Sequence, residues 1–239
     1  MESKNAAFSK NTNFTILPFM FDQGLLDYLE GYITENRKSR FLEILSSRTN
    51  MITVAIEDVY QLHNTSAIVR SCDSFGIQTV HVIEERYEER LDKNIAMGAQ
   101  KWVDVHQYPT TMACITSLRE SGYNIIATTP HNESQTVRDF GINGKTALFF
   151  GTEWNGLTET VMREADGFLH IPMVGFSESL NVSVSAAVIL EHLTQKLRTS
   201  ALPWQLTKEE QLDKRLEWTK KSIKNVEQII KRYQQGQSS

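Results

Sequence analysis

Short apolar runs alternate with helical patterns along the chain after residue 50. Between the runs, apolar residues recur at spacings of three and four, which is the period of a helix. Runs of four or five mostly apolar residues are typical of buried strands. The predicted strands are Thr53–Ile56, Thr79–Ile83, Asn124–Thr128, Thr146–Phe150 and Phe168–Ile171. Strands that alternate with helices predict an α/β fold.

Residues 182–193 carry a clear helical pattern and follow an irregular loop. Val182, Ala186 and Ile189 recur on one face, and Asn181 is of the type that caps a helix N-terminus. The loop at 171–180 alternates apolar side chains with short polar ones. A pocket lined by backbone for a partly apolar ligand would have this composition, whereas an ordinary surface loop is polar. A capped core helix after an ordinary strand is the alternative interpretation.

The strand predicted at Thr146–Phe150 ends at a glycine-bearing segment. Gly151 follows the strand directly, and Gly156 closes the segment five residues later. The ends of strands are where α/β proteins bind ligands, and glycine permits tight turns or close backbone approach. Thr158 is the predicted start of the next helix. The alternative is that the two glycines only turn the chain.

A strand, loop and helix are predicted across residues 51–76. Asn64 is a plausible helix cap, and Gly76 stands where a left-handed stop is expected. Arg70 is six residues after Asn64, about 240° around a helix, so the two converge only if Asn64 lies in the loop. A guanidinium on this half-apolar helix needs an anionic partner. The alternative partner is Asp73, three residues further on.

The two ends of the chain differ from the central region in composition and in the spacing of apolar residues. Residues 1–15 are rich in Ser, Asn and Lys and are predicted to be disordered. Helical spacing appears at 22–33, and a narrow apolar seam at 212–233 predicts one tail helix, packed in cis or across a dimer. The predicted division is an N-terminal extension at 1–48, a central domain at 49–198 and a helical extension at 199–239.

The net charge of −4 argues mildly against an RNA partner, but the cations are clustered. Four cations and one anion lie between Arg37 and Arg48, and ten cations and five anions lie between Lys196 and Arg232. These regions are candidates for RNA contact. Solvated helix faces would carry similar charges.

Several classes of protein are disfavoured by absences. The two cysteines, Cys72 and Cys114, are too few for a disulfide framework, and no metal-ligand spacing is found, so no metal is expected. No signal peptide or long apolar span appears, which predicts a cytoplasmic protein without a membrane partner. No Gly-x-Gly-x-x-Gly follows an early strand, which disfavours a nucleotide-dependent oxidoreductase.

Three blocks together resemble the motifs of the SPOUT-class RNA ribose methyltransferases, in particular the TrmH (SpoU) branch. The first is Asn64 with Arg70, the second is residues 151–157, and the third is residues 171–183. The resemblance covers roughly 37–198. It implies a Rossmann-like, mostly parallel sheet with a C-terminal deep trefoil knot, flanked by helical extensions. It also implies S-adenosylmethionine as cofactor, tRNA as partner and a homodimer through the knot region.

The resemblance also assigns residues to the cofactor and to RNA. The expected cofactor-binding residues are Thr128, Phe150, Gly151, Thr152, Glu153, Trp154, Ile171, Met173, Ser179 and Leu180. The expected RNA-binding residues are Arg37, Arg40, Arg48, His63 and Lys101. For His63, a loop histidine without a role is the alternative.

Arg70 is the first candidate for a catalytic residue. The family assigns activation of the ribose hydroxyl to this arginine, yet a guanidinium is always protonated and has no acceptor. We therefore expect it to clamp a phosphate and stabilise the developing alkoxide. Supporting roles are expected for Asn64, Glu153, Ser179 and Asn181.

The reaction implied is methylation of a ribose 2′-hydroxyl, with guanosine-18 in the tRNA D-loop as the expected target. Ribosomal RNA and the tRNA wobble nucleotide are the alternative targets. A cofactor-binding RNA chaperone without turnover is a different class, disfavoured because the expected catalytic residues are all present, namely Asn64, Arg70, Glu153, Ser179 and Asn181.

Overall fold

The computed structural model describes residues 22–59, 62–84, 98–130, 134–152 and 155–237. Within these ranges one sheet has the strand order β3-β2-β1-β6-β4-β7-β5, and every neighbouring pair is parallel. The strands are β1 (Ile52–Glu57), β2 (Thr79–Ile83), β3 (Asp104–Tyr108), β4 (Asn124–Thr128), β5 (Gln135–Thr136), β6 (Thr146–Phe150) and β7 (Gly167–His170). The predicted α/β class and parallel sheet are confirmed.

Helices cover both faces of the sheet. They are α1 (Gln23–Glu30), α2 (Glu35–Leu45), α3 (Leu62–Phe75), α4 (Thr111–Glu120), α5 (Glu159–Glu164), α6 (Val182–Arg198), α7 (Lys208–Ser222) and α8 (Val226–Gln237), with a short 3-10 helix at Ala99–Lys101. One face of β6 packs through Leu148 and Phe150 with residues of α3 and α6. Its other face packs through Ala147 and Phe149 with residues of α4 and α5. The central strands β1 and β6 are mostly apolar because both of their faces are buried.

The five predicted strands are all present. Strands β2, β4 and β6 begin and end as predicted, β1 is one residue longer at each end, and β7 begins and ends one residue earlier. Strands β3 and β5 were not predicted. The side chains of β3 are mostly exposed at the sheet edge, and β5 has only two residues, so neither carries an apolar run.

The N-terminal and C-terminal extensions pack against each other. Leu26 and Leu29 of α1 are fully buried in a cluster with Leu216 of α7. The seam of the tail is therefore covered within this chain. The prediction of one tail helix is wrong, because the chain breaks between α7 and α8 at Asn225, which has a φ of +55°.

Parts of the predicted organisation stay predictions. The segment 1–15 lies outside the described residues. The domain boundaries at 48/49 and 198/199 and the threading of the chain into a knot also stay predictions. In the part of the chain that the structure covers, no helix combines the length and apolarity needed to cross a bilayer.

Candidate functional site

Two asparagines join the first and third blocks at the carboxyl end of the sheet. The side chain of Asn181 donates from Nδ2 to Oδ1 of Asn64 at 3.2 Å. Its own Oδ1 accepts from the backbone N–H of Ser183 at 2.9 Å and of Val184 at 3.4 Å, so the predicted cap of α6 is confirmed. Asn64 is 2% exposed and is the third residue of α3. The prediction that it caps this helix from a loop is therefore wrong.

Arg70 lies apart from this asparagine pair. It is exposed on α3, whereas Asn64 is buried, as expected for residues that do not share a face. The alternative ion pair with Asp73 is absent from the described residues, where the carboxylate of Asp73 contacts Arg48 instead. Arg70 thus presents its guanidinium to solvent.

The segment 151–158 folds back on itself after β6. The backbone groups of Thr152 and Gly156 exchange two hydrogen bonds of 3.0 Å. A Cβ on Gly151 would lie 2.3 Å from the backbone carbon and oxygen of Gly156, and Gly156 has a φ of +64°. Both glycines therefore turn the chain, and Gly151 leaves no room for a side chain. Glu153 and Trp154 lie outside the described residues.

A small pocket of about 80 Å³ lies between the ends of β4 and β7 and the start of α6. Five of the residues expected to bind cofactor line it, namely Thr128, Ile171, Met173, Ser179 and Leu180. The sequence did not indicate His170, Ser185 or Ile189, which also line it. Phe150 is not part of this lining, and its side chain is 1% exposed in the core, so its expected role in binding the cofactor stays a prediction.

The walls of this pocket fit an adenosine-bearing cofactor in chemistry. Apolar side chains with a few polar groups are the usual lining of such sites, and the hydroxyl of Thr128 is fixed by donating to the carbonyl of Phe149 at 2.7 Å. The volume is small, since ligand pockets are typically at least ~300 Å³. The loop at 172–179 is exposed along its whole length, and Val174 and Phe176 are fully exposed.

A larger cavity of about 790 Å³ lies at the opposite, amino end of the sheet. It is bounded by α2, α7 and the final residues of α3 and α6. Its lining includes Arg37, Arg40, Ser74, Trp102, Arg198 and Trp218. Arg37 is exposed, and Arg40 is 62% exposed while pairing with Glu43 at 2.8 Å. The cavity is therefore a basic surface with aromatic walls.

Arg48, which was expected to bind RNA, is almost completely buried, so that role stays a prediction. Its side chain is 2% exposed, and its guanidinium contacts the carboxylate of Asp73. It also donates to the carbonyl of Ile77 at 3.1 Å and lies 5.4 Å from the ring centre of Trp218. A guanidinium enclosed in this way connects the end of α3 with α7, in the wall of the same cavity.

Lys101 and His63 lie at different ends of the sheet. The ammonium of Lys101 is 4.9 Å from the ring centre of Trp102, beside the arginine cavity, and its carbonyl accepts from Lys221 at 3.1 Å. His63 is exposed in the first turn of α3, at the carboxyl end, so it is a helix residue and was wrongly placed in a loop. No cluster of metal-ligating side chains is found among the residues described.

The model of the SpoU rRNA Methylase family matches residues 51–191 of this chain. Among curated proteins, the chain is 35% identical to a tRNA (guanosine(18)-2'-O)-methyltransferase of Borreliella burgdorferi, over 84% of this chain and 92% of that enzyme. It is 36% identical to the enzyme of the same name from Thermus thermophilus, over 69% of this chain and 86% of the enzyme.

Among solved structures, the chain resembles the TrmH/SpoU tRNA modifying enzyme of A. aeolicus. The TM-score is 0.69 at 28% identity, and the match covers 80% of this chain and 98% of that one. The AviRb methyltransferase of Streptomyces viridochromogenes, solved with AdoMet, shares the fold at a TM-score of 0.56 and 23% identity, over 66% of this chain and 62% of that one.

Proposed function

The chain belongs to the SpoU rRNA Methylase family, and on that premise we propose that it transfers a methyl group from S-adenosylmethionine to a ribose 2′-hydroxyl of tRNA. The proposed target is guanosine 18, which the names of the relatives from Borreliella burgdorferi and Thermus thermophilus specify. A tRNA substrate also makes the cytoplasm the proposed compartment.

One observation carries the proposal. Asn64 and Asn181 form a hydrogen bond at the end of the sheet where Ser179 and Leu180 line the pocket. It ties the first block, which holds Arg70, to the third block, which lines the pocket. Because these blocks are 117 positions apart, only the fold brings them together.

The pocket residues are proposed to hold the cofactor by its apolar surface. S-adenosylmethionine, when bound, supplies a methyl group on a sulfonium centre. Ile171, Met173 and Leu180 provide apolar walls for that surface. We propose that the C-terminal half is knotted around this pocket, in keeping with the family, so that backbone groups of residues 171–180 face the cofactor.

Arg70 is proposed to meet the RNA. Its guanidinium is exposed and is unpaired with any described carboxylate, so its five donors are available. Two parallel N–H donors match a phosphate, and the remaining donors stabilise charge that develops on the 2′-oxygen. Since a guanidinium does not accept protons, the hydroxyl proton leaves to water or phosphate.

The arginine cavity at the amino end is proposed as the surface that grips the body of the tRNA. Arg37 and Arg40 line it, and Lys101 stands beside it next to Trp102. Exposed arginines bind phosphates, and these contacts supply most non-specific affinity for nucleic acid. Arg198, one of the cations of the second basic region, is also part of the lining.

A homodimer through the C-terminal half is proposed as the active form. Val174, Phe176, Val184 and Val188 are exposed apolar side chains of the loop at 172–179 and of α6. Exposed apolar groups grouped in one region favour a protein interface. An interface here would bury them beside the pocket and bring the Arg70 of one subunit toward the pocket of its partner.

A methylation assay with defined RNA tests the proposal. Full-length tRNA is compared with the same tRNA carrying 2′-deoxyguanosine at position 18, using S-adenosylmethionine labelled on the methyl group. We expect label on the first RNA and none on the second. Equal labelling of both would contradict guanosine 18 as target, and mapping would then distinguish the wobble nucleotide from other positions. Label on ribosomal RNA alone would replace tRNA as the substrate.

A further inference from the structure

His170 is one of two ionisable side chains among the described residues that line the small pocket, and Glu178 is the other. It is the last residue of β7, and its side chain is half-buried. The block that resembles the family begins one residue later, at Ile171, so the resemblance gives His170 no role. Its place in the pocket wall therefore needs an explanation of its own.

The backbone around His170 is held from both sides of β7. His170 pairs in register with Thr136 of β5, and its carbonyl accepts from the N–H of Val137 at 2.8 Å. On the other side, the carbonyl of Leu169 accepts from the N–H of Thr129 at 3.0 Å. The ring can therefore change its position mainly by rotation about its two side-chain torsions.

A hydrogen bond to Ser134 restricts that rotation. Nδ1 of His170 lies 2.7 Å from the hydroxyl oxygen of Ser134, which is also half-buried. The second ring nitrogen, Nε2, has no partner in the part of the chain that the structure describes. A serine hydroxyl that donates to Nδ1 leaves the proton of a neutral imidazole on Nε2. The ring then offers one N–H donor to a ligand.

An N–H donor in this wall matches an oxygen of the ligand. S-adenosylmethionine has acceptor oxygens in two places, the hydroxyls of its ribose and the carboxylate of its methionine part. Ligand pockets combine apolar walls with a few polar groups that fix the orientation of the ligand. Ile171 and Leu180 are apolar walls of this pocket, and His170 is a polar group of the same lining.

We propose that His170 is a further cofactor-binding residue, which donates from Nε2 to an oxygen of S-adenosylmethionine while Ser134 holds its ring. The inference rests on the proposed function, from which it takes its ligand. Its basis is the position of His170 in the pocket lining, the hydrogen bond at Nδ1 and the nitrogen that this bond leaves unused.

Two substitutions separate contact with the cofactor from the bond to Ser134. The amide group of asparagine lies close to where Nδ1 was, so His170→Asn keeps a partner for Ser134 and loses the donor at Nε2. The amide group of glutamine reaches the place of Nε2, so His170→Gln keeps that donor and loses the group at Nδ1. His106→Gln, on an exposed histidine of β3 at the sheet edge, is the control.

Calorimetry without RNA measures the affinity for S-adenosylmethionine. We expect the Kd to rise about three- to tenfold in His170→Asn, as for the loss of one neutral hydrogen bond. His170→Gln and His106→Gln should stay within about twofold of the wild type. The midpoint of thermal unfolding should fall more in His170→Gln than in His170→Asn, because only the former loses the bond to Ser134. General destabilisation would not produce these opposite orders.

Titration with 5′-methylthioadenosine, which has the ribose but no methionine carboxylate, locates the oxygen. A contact with the carboxylate predicts an unchanged Kd for this compound in His170→Asn, and a contact with the ribose predicts the same rise as for S-adenosylmethionine. Wild-type affinity for S-adenosylmethionine in His170→Asn, or an equal loss in His170→Asn and His170→Gln, would overturn this inference alone. A wild-type protein that does not bind S-adenosylmethionine would overturn the proposed function as well.

Discussion

The two ends of the sheet differ in how their polar groups are arranged. At the carboxyl end, the side chains of two asparagines and a histidine are held by hydrogen bonds, and the pocket beside them is about 80 Å³. At the amino end, arginines surround a cavity of about 790 Å³. The first end is suited to a small ligand held by backbone and apolar walls, and the second to a large, highly charged one.

Helix α3 joins these two ends. Asn64 in its first turn contacts α6 at the carboxyl end, and Asp73 in its last turn contacts Arg48 at the amino end. The two residues are about 14 Å apart along the helix axis at 1.5 Å per residue. Arg70 lies between them on the exposed side. One rigid helix therefore sets the distance between the proposed methyl donor and the proposed RNA surface.

The largest effect is expected at Arg70. This residue is exposed, takes no part in the buried contacts at either end of the sheet, and is proposed to act on the RNA directly. Arg70→Lys keeps the charge but loses the planar fork, so we expect the turnover number on tRNA to fall about 100-fold or more, as when one oxyanion-stabilising donor is removed. Arg163→Lys, on an exposed arginine of α5, is the control. Near-normal turnover in Arg70→Lys, measured with saturating tRNA and cofactor, would contradict the clamp.

At the amino end, substitution of the buried Arg48 should lower the stability of the fold, whereas substitution of an exposed arginine should not. Arg48→Met removes one member of a buried pair and leaves Asp73 without its cation, so we expect a loss of about 3 kcal/mol in the free energy of unfolding. Arg40→Met, on the exposed arginine of the same cavity, should change it by less than about 0.5 kcal/mol. Urea unfolding of both variants is the measurement. Equal stability of the two would refute the buried role assigned to Arg48.

The stability of the fold should depend on pH through His81, a residue of neither proposed binding site. Burial, with the nearby His106, lowers the pKa of His81 to about 4 from 6.5. The unfolded chain therefore binds an extra proton between these values, so stability rises with pH and is lost as pH falls from 6.5 toward 4. Within this window the free energy of unfolding changes by about 1.4 kcal/mol per pH unit, and by about 2 kcal/mol in total between pH 6.5 and 5.

The variant His81→Gln should flatten that dependence. It is compared with His63→Gln, on an exposed histidine, which should leave the slope of unfolding free energy against pH unchanged. A wild-type slope that persists in His81→Gln would mean that another group titrates in this range.

The smallest effect is expected from the exposed arginines of the amino-end cavity. We expect Arg37→Gln with Arg40→Gln to weaken tRNA binding about tenfold at moderate salt and to reduce the log–log salt slope by about one to two, because two phosphate contacts are lost. The affinity for S-adenosylmethionine should be unchanged. Filter binding across a salt series measures the first and calorimetry the second. If the affinities for tRNA and for S-adenosylmethionine fell together, the two ends of the sheet would not be separate binding sites.

Prediction from the sequence was most accurate where a residue's environment is set by its neighbours in the chain. The apolar runs that became β2, β4 and β6 are mostly buried, and the capping oxygen of Asn181 accepts from backbone N–H groups two and three residues further along the chain. The sequence did not indicate burial by distant contacts. The guanidinium of Arg48 is buried by Asp73 and Trp218, which are 25 and more positions away.

The candidate site shows the same division. Thr128, Ile171 and Leu180 were expected together from family resemblance, and they line one pocket. His170 was not singled out, because its partner Ser134 is 36 positions away and nothing nearby in the chain indicates the bond. A histidine directly before the block at 171–183 was the one signal that could have indicated it.

The most direct test of the whole account is to map where this protein places a methyl group. The protein is incubated with total RNA and S-adenosylmethionine labelled on its methyl group, and the modified nucleotides are sequenced and digested to nucleosides. We predict label on the 2′-oxygen of a single guanosine in the tRNA D-loop. Label on a base, on protein or on no product would contradict it.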